Sequence, residues 1–258
     1  MKLIGNEIKH AEKCLKQKSI DKKQNVKTLI VLIKYYHHCL KKTHTEIKEL
    51  LNDFLDSVPN RFNRDYLEEL ISSMAKDDVP INVVEKVCIT EAEMRVINTR
   101  ESEQERRVLF TMLVHYKVKN ELYPQNNNKV SEEHSTIFKD AKVTCSQKDK
   151  YKIINKLSQD GLIDLPVNLN DSRITLNYVN NDSPTVIEVS SFDDLIMDYY
   201  IYKGSKVIEC KECGERVLAK SGRKSNATKY CRVCADNITQ KKKNDFKKLG
   251  KSEVKNEK

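Results

Sequence analysis

The sequence predicts an α+β fold that is mostly helical. Its parts are an N-terminal helical bundle, a winged helix-turn-helix, a small four-cysteine zinc ribbon and a basic flexible tail. Three observations predict it. Apolar residues recur at three- and four-residue steps from residue 25 to 76. Three further helical segments are followed by two strand-like ones with alternating apolar positions. Two C-x2-C pairs then stand seventeen residues apart, beginning at Cys210. The domains expected are 1–80 (helical), 90–202 (winged-helix-like), 203–236 (ribbon) and 237–258 (basic tail, partly disordered).

The first twenty-four residues are polar and lysine-rich, and predict a frayed or loose helix. From Asn25 the residues Val26, Leu29, Ile30, Ile33, Tyr36 and Leu40 make one apolar stripe. Thr43 with Glu46 three positions on forms a capping box, which opens a helix carrying Ile47, Leu50, Leu51, Phe54 and Leu55. Pro59-Asn60 ends it. Tyr66, Leu67, Leu70, Ile71 and Met74 mark a third helix. Asp77-Asp78-Val79-Pro80 is a linker, because proline biases its predecessor to extended geometry. Thr90 and Glu93 make a second capping box before a short helix.

Ser102 and Glu105 start the first helix of the middle segment, 103–118, with Val108, Leu109, Met112, Leu113 and Tyr116 inward. The second helix is 131–141, with Ile137 and Phe138. The third is 147–159, begun at Ser146-Asp149 and stopped near Gly161. Ile174, Leu176 and Tyr178 alternate with polar residues; Asn180 to Pro184 is a turn; Val186, Ile187 and Val189 form the return strand of a wing spanning 173–189. Phe192, Leu195, Ile196 and Tyr199 mark a closing helix.

The cysteine spacing carries the sharpest chemistry. Cys210 and Cys213, then Cys231 and Cys234, give C-x2-C…C-x2-C, the pattern of a four-thiolate zinc site. Two residues between paired cysteines let both sulfurs turn onto one ion, and Gly214 relieves the backbone where it bends. Four thiolates leave no open coordination position, so one Zn2+ here is structural and not hydrolytic. A redox pair would sit in a βαβ setting, which is absent, and disulfides would need an oxidising compartment. The segment is too small to fold by apolar burial alone, so the metal supplies much of its folding energy. Cys14, Cys39, Cys88 and Cys145 are scattered and read as ordinary thiols.

Charge follows the same division. The 258 residues carry a formal +9. Residues 203–258 hold 17 Lys/Arg against 7 Asp/Glu, a net of +10, while 1–202 hold 30 against 31. After four thiolates and one zinc are counted, the basic segment still carries roughly +8. A basic end on a near-neutral body is the footprint of a phosphate-rich partner. Lys241, Lys242, Lys243, Lys247 and Lys248 would meet phosphates without reading bases. On the third helix of the middle segment, Lys148, Lys152, Asn155, Lys156 and Gln159 lie opposite its apolar side, and the wing adds Arg173. These side chains can donate to base edges or phosphates in a major groove.

Several function classes are excluded. Six glycines are too few for most Gly-rich nucleotide loops, and there is no P-loop, dinucleotide fingerprint or nucleophile elbow. His37, His38 and His44 lack carboxylates at ligand spacing. The pairs Asp77-Asp78 and Asp193-Asp194 point different ways and share no focus for a metal. No catalytic residue and no organic cofactor is expected. No apolar run approaches a membrane span, and MKLIGNEIKH lacks a signal-peptide core, so a cytoplasmic location is expected.

Tyr199-Tyr200-Ile201-Tyr202, Gly204, Val207 through Gly214, and Lys229-Tyr230-Cys231-Arg232-Val233-Cys234-Ala235 together resemble a family of zinc-ribbon proteins from low-GC Gram-positive bacteria, their phages and mobile elements. The likeness extends loosely back through Ile89-Thr90-Glu91 and the hairpin, covering most of 25–235. The resemblance implies a helical N-terminal part, a winged-helix-like middle, a ribbon and a bacterial host cytoplasm, but no activity. The expected function is therefore a non-enzymatic nucleic-acid-binding protein, DNA before RNA, acting as a regulator or replication accessory of a phage or mobile element. The alternative is a factor that docks on a host polymerase, replication or defence complex through the same two modules.

Overall fold

The computed structural model describes residues 3–20, 25–58, 65–76, 79–125, 129–166, 173–219 and 228–253, and their side chains except at 65, 67, 68, 74–76, 242 and 244–253. It is an α+β fold with short antiparallel sheets, divided into two units, Met1–Leu195 and Ile196–Lys258.

The polar start of the first unit is a defined helix, α1 (Glu7–Gln17), not a frayed one. The Asn6 side chain accepts from the Lys9 N–H at 2.9 Å, and Lys18 closes the helix at φ +46°. What fixes it is a buried ion pair. Lys34 Nζ donates to both Glu7 carboxylate oxygens at 3.2 and 3.1 Å, and the Asn82 N–H adds a third bond at 2.7 Å. Ala11 and Cys14 are buried on the same helix. The linker that follows the bundle returns along this start: Val84 N–H bonds Gly5 O at 2.8 Å, and Glu7 N–H bonds Asn82 O at 2.9 Å. A side chain cannot be added at Gly5, since a Cβ there would lie 2.4 Å from the Phe192 ring.

Helix α2 (Asn25–Lys34) runs into a π-helical turn, Tyr35–Cys39. Leu29, Val31, Leu32, Ile33 and Tyr36 are buried, yet Leu40, placed on the predicted stripe, is 46% exposed. The wider π turn rotates less per residue than an α-helix, which shifts the register of the stripe and takes Leu40 off the apolar face. Helices α3 (His44–Ser57) and α4 (Asp65–Lys76) complete the bundle, α3 opening on the Thr43–Glu46 capping box. Ile47, Leu51, Phe54, Leu55, Leu70 and Ile71 share one core with α2.

Strand β1 (Val87–Thr90) leads into α5 (Glu91–Asn98), again through a capping box, and then into α6 (Glu103–Leu122). Every residue of α6 from Val108 to Tyr116 is buried, so it is enclosed on all sides rather than along one stripe. After it come β2 (Lys129–Val130), α7 (His134–Asp140), α8 (Gln147–Gln159), β3 (Ile163–Asp164), β4 (Ile174–Leu176) and β5 (Thr185–Val189).

The wing predicted over 173–189 is corrected here. Strand β4 does not pair with β5. Both of its edges are already occupied, by β2 (Lys129↔Thr175) and β3 (Ile163↔Leu176), giving the order β2-β4-β3. Strand β5 pairs instead with β1, Val87↔Val189 through Thr90↔Thr185. The intervening turn explains the change of sheet. It caps α5: Asn180 N–H donates to Glu93 Oε1 at 3.1 Å, Thr90 Oγ1 donates to Asn180 O at 2.8 Å, and Glu91 N–H bonds Pro184 O at 2.8 Å. The hairpin next to α8 is thus β3–β4, and its connection includes residues 167–172, outside the described residues.

The second unit begins at α9 (Ile196–Tyr202), which the sequence groups with the preceding segment. Strands β6 (Val207–Glu209) and β7 (Arg216–Leu218) form a hairpin, and α10 (Arg232–Glu253) follows. Of the expected basic tail, 237–253 continues α10, and 254–258 lie outside the described residues. Its few apolar residues, Ile238, Phe246 and Leu249 among them, are too sparse among the lysines to announce the helix, and its first turn carries the cysteines described below.

The Glu7–Lys34 pair gives a direct test. Lys34→Met leaves a buried carboxylate uncompensated and is expected to cost about 3–5 kcal/mol. The double variant Glu7→Gln/Lys34→Met should recover much of that loss, read as denaturant midpoints at unchanged slope.

Candidate metal centre

The four predicted cysteines converge. The sulfurs of Cys210, Cys213, Cys231 and Cys234 all lie within 4.8 Å of one another. Cys210 and Cys231 are buried, and Cys213 and Cys234 are half-buried. Four thiolates around one zinc at ~2.3 Å would stand about 3.8 Å apart. The Cys213 and Cys231 sulfurs are 3.8 Å apart. The donor set and its closeness fit one tetrahedral ion such as zinc.

The local backbone explains how the sulfurs meet. Strand β6 delivers Cys210, whose N–H bonds Glu215 O at 2.9 Å across the mouth of the hairpin. Gly214 N–H returns to Cys210 O at 2.8 Å with Gly214 at φ +73°, a conformation that suits glycine. This is the tight knuckle expected of the first pair. The second pair is built differently: it occupies the first turn of α10. Ala235 N–H bonds Cys231 O at 2.9 Å, and Cys234 N–H points at Cys231 Sγ at 3.4 Å. A helix N-terminus favours thiolate, so this end of the helix suits two metal ligands. Lys211 N–H bonds Lys229 O at 3.0 Å and ties the two halves together.

Electrostatics favour a cation at the centre. Burial raises the Cys210 thiol, but backbone N–H groups of Cys231, Cys213 and Glu212 outweigh it and bring it down to about 6. Burial pushes the Cys213 thiol up. Hydrogen bonding with Cys231 pushes the Cys234 thiol up as well. Four sulfurs this close cannot all ionise unaided, because each thiolate opposes the next.

One supporting contact has no signature in the sequence. Arg216, at the start of β7, makes a bidentate pair with Asp198 of α9, at 2.7 and 2.9 Å. Both side chains are mostly buried. The pair holds the short helix against the hairpin. A basic residue beside a knuckle and an acid in an aromatic run give no hint of it.

The residues expected to meet nucleic acid divide. On α8, Lys148, Lys152, Asn155 and Gln159 are exposed along one face at 148, 152, 155 and 159. Lys152 pairs with Asp149 at 3.1 Å, both exposed. Lys156 is different: its Nζ reaches the buried Glu105 at 2.7 Å and helps join α8 to α6. Glu105 also receives Arg100 at 3.1 Å. Arg173 is exposed at the start of β4. On α10, Lys241 and Lys243 are exposed; the side chains of Lys242, Lys247 and Lys248 lie outside the described residues.

The groups set aside as catalytic are engaged elsewhere. His38 Nε2 lies 2.9 Å from Val79 O, and His37 packs edge-on to it. Asp193 pairs with Lys13, and Asp194 accepts from Ser191 Oγ at 2.8 Å. Asp77-Asp78 lies outside the described residues. Among the described residues no helix is long and apolar enough to cross a membrane.

No family model, curated protein or solved structure matches the chain. The resemblance to zinc-ribbon proteins therefore rests on the four-cysteine cluster alone.

Elemental analysis should find one metal per chain, falling well below one in Cys213→Ser. Loading the metal-free protein near neutral pH should release protons, since the Cys213 and Cys234 thiols are held protonated and must ionise to bind. Affinity should fall as pH drops through 6, where protons compete for Cys210 as well.

Proposed function

We propose that the chain is a non-enzymatic, zinc-containing nucleic-acid-binding protein, with duplex DNA as the preferred ligand. One observation carries the reading: the chain order α6-β2-α7-α8-β3-β4 with the sheet order β2-β4-β3. We read that order as winged-helix-like, a fold in which the third helix would enter the major groove and the following hairpin flank it. Here the third helix is α8 and the hairpin is β3–β4.

The exposed face of α8 supports the assignment. Lys148, Lys152, Asn155 and Gln159 present donors in a row, with Tyr151 between them, 51% exposed. Asparagine and glutamine suit adenine edges; lysine suits guanine edges or phosphate. Lys156 shares this exposed side, 52% accessible, with its ammonium also on Glu105. The zinc-held α10 supplies sequence-independent charge. It holds seven Lys/Arg against three Asp/Glu over Arg232–Glu253, and a rigid helix spaces them along a duplex better than a coil. A regulator or replication accessory of a phage or mobile element remains the biological setting we favour.

A second reading has its own observation. Ile201, Tyr202, Leu218 and Val233 of the second unit are 40% exposed or more. Exposed apolar side chains on so small a unit favour docking onto a protein, such as a host polymerase or replication complex.

Binding to duplex DNA measured over a salt series separates the two. The affinity should fall steeply with salt, and Lys241→Gln/Lys243→Gln should lower the slope by up to about two. Lys148→Ala/Lys152→Ala should weaken binding with a stronger effect on preferred sequences. Absence of binding in dilute salt, together with a nuclease-resistant protein complex, would instead support the docking reading.

A further inference from the structure

A cavity of about 270 Å³ lies in the first unit, lined from α1, α2, α6 and the segment after β2. Five charged side chains line it: Lys27, Lys34, Lys119, Glu7 and Glu132. Two of the lysines are already matched. Lys34 is held by Glu7, which also accepts from Asn82 and has little capacity left. Lys119 is 3.3 Å from Glu132 and donates to Ser131 Oγ at 3.0 Å. Glu132 in turn faces the fully buried His115, whose other ring nitrogen lies 3.0 Å from Asp140.

Lys27 is the remainder. No carboxylate among the described residues pairs with it. Burial, and then the nearby Lys119 charge, push its ammonium below the ordinary lysine range. Glu132 and Glu7 pull the other way, but each is already engaged with another cation, and a half-buried ammonium with no anion in direct contact is costly unless something supplies one. Most of the remaining lining is apolar, with Ile4, Ile30, Val118 and Leu122 among it, beside Asn82 and Tyr123. One uncompensated positive charge and an apolar wall match an anion with one negative charge and an apolar body. The volume lies just under the range of drug-sized sites, so the ligand is small.

We propose that this cavity is a binding site for a small monocarboxylate, its carboxylate on Lys27 and its hydrocarbon part on Ile4, Ile30, Val118 and Leu122. The site spans the N-terminal helices and α6, so an occupant joins the bundle to the segment that carries α8. It does not depend on the nucleic-acid reading.

Titration calorimetry of the full, zinc-loaded chain with butyrate and with benzoate, at constant ionic strength in chloride, tests it. Saturable binding with one site per chain is expected, accompanied by a rise in Tm. Lys27→Met removes only an unpaired charge, so it should keep the native circular dichroism and an equal or higher Tm in the absence of ligand. It should weaken carboxylate binding at least about tenfold, the loss of one charge-assisted hydrogen bond. Lys27→Arg, which keeps the charge, should bind within about threefold of the parent chain. The proposal is overturned if neither carboxylate saturates at millimolar concentration, if Lys27→Met binds as the parent does, or if inorganic phosphate saturates the site and the carboxylates do not.

Discussion

Like charges cannot be packed together without a counter-charge, and the second unit is organised around that constraint. Four thiols lie within 4.8 Å, with Cys210 already inclined to ionise and two of its neighbours resisting. A divalent ion held there would resolve the conflict by converting mutual repulsion into four bonds. The hairpin, the turn at Gly214 and the first turn of α10 then share one anchor. The Arg216–Asp198 pair adds α9 to the same framework. Without the ion, three short elements would have only a few apolar contacts to hold them, too little for so few residues.

The first unit meets a different version of the same constraint. Its central helix α6 is enclosed, yet it carries Glu105, His115 and Lys117 among its apolar residues. Each is answered by a partner of opposite charge: Lys156 and Arg100 on Glu105, Asp140 on His115, and Glu93 on Lys117 at 2.9 Å. These pairs reach α8, α7 and α5 in turn. Buried pairs add little net stability, but a helix packed in the wrong place would leave charges unpaired. We read the network as setting position more than strength. Lys156 shows how that requirement meets surface chemistry, since one half-exposed ammonium both ties α8 to Glu105 and faces solvent.

Much of this was legible in the sequence. The capping boxes at Thr43 and Thr90 and the cap at Ser102 locate helix starts, because each is a local hydrogen-bond pattern with fixed spacing. The four ligands follow from spacing alone. What was not legible is non-local. Nothing near Val186 says that its strand crosses to Val87–Thr90, because the reason lies in β2, a two-residue strand that fills the other edge of β4. The π turn at Tyr35–Cys39 is similarly silent, since an apolar stripe looks continuous until the shift in register is known. Helix α10 has too few apolar residues to announce it, and Glu7 and Lys34 are far apart in the chain and look like surface residues. The candidate site divides likewise: ligand identity is local, whereas the pairing of Lys156 with Glu105 depends on how two helices cross.

The contact between Gly5 and the Phe192 ring has a further implication for biosynthesis. The ribosome delivers the chain from its amino end, and the groove that receives Gly5 is finished only once Phe192 has emerged. Until then Gly5 is held by Val84 N–H, and Glu7 by Lys34 and Asn82, with the Phe192 side of Gly5 still uncovered. Phe192 thus covers Gly5 from the far end of the same unit, and a nascent chain stalled short of it would leave that apolar face open to chaperones.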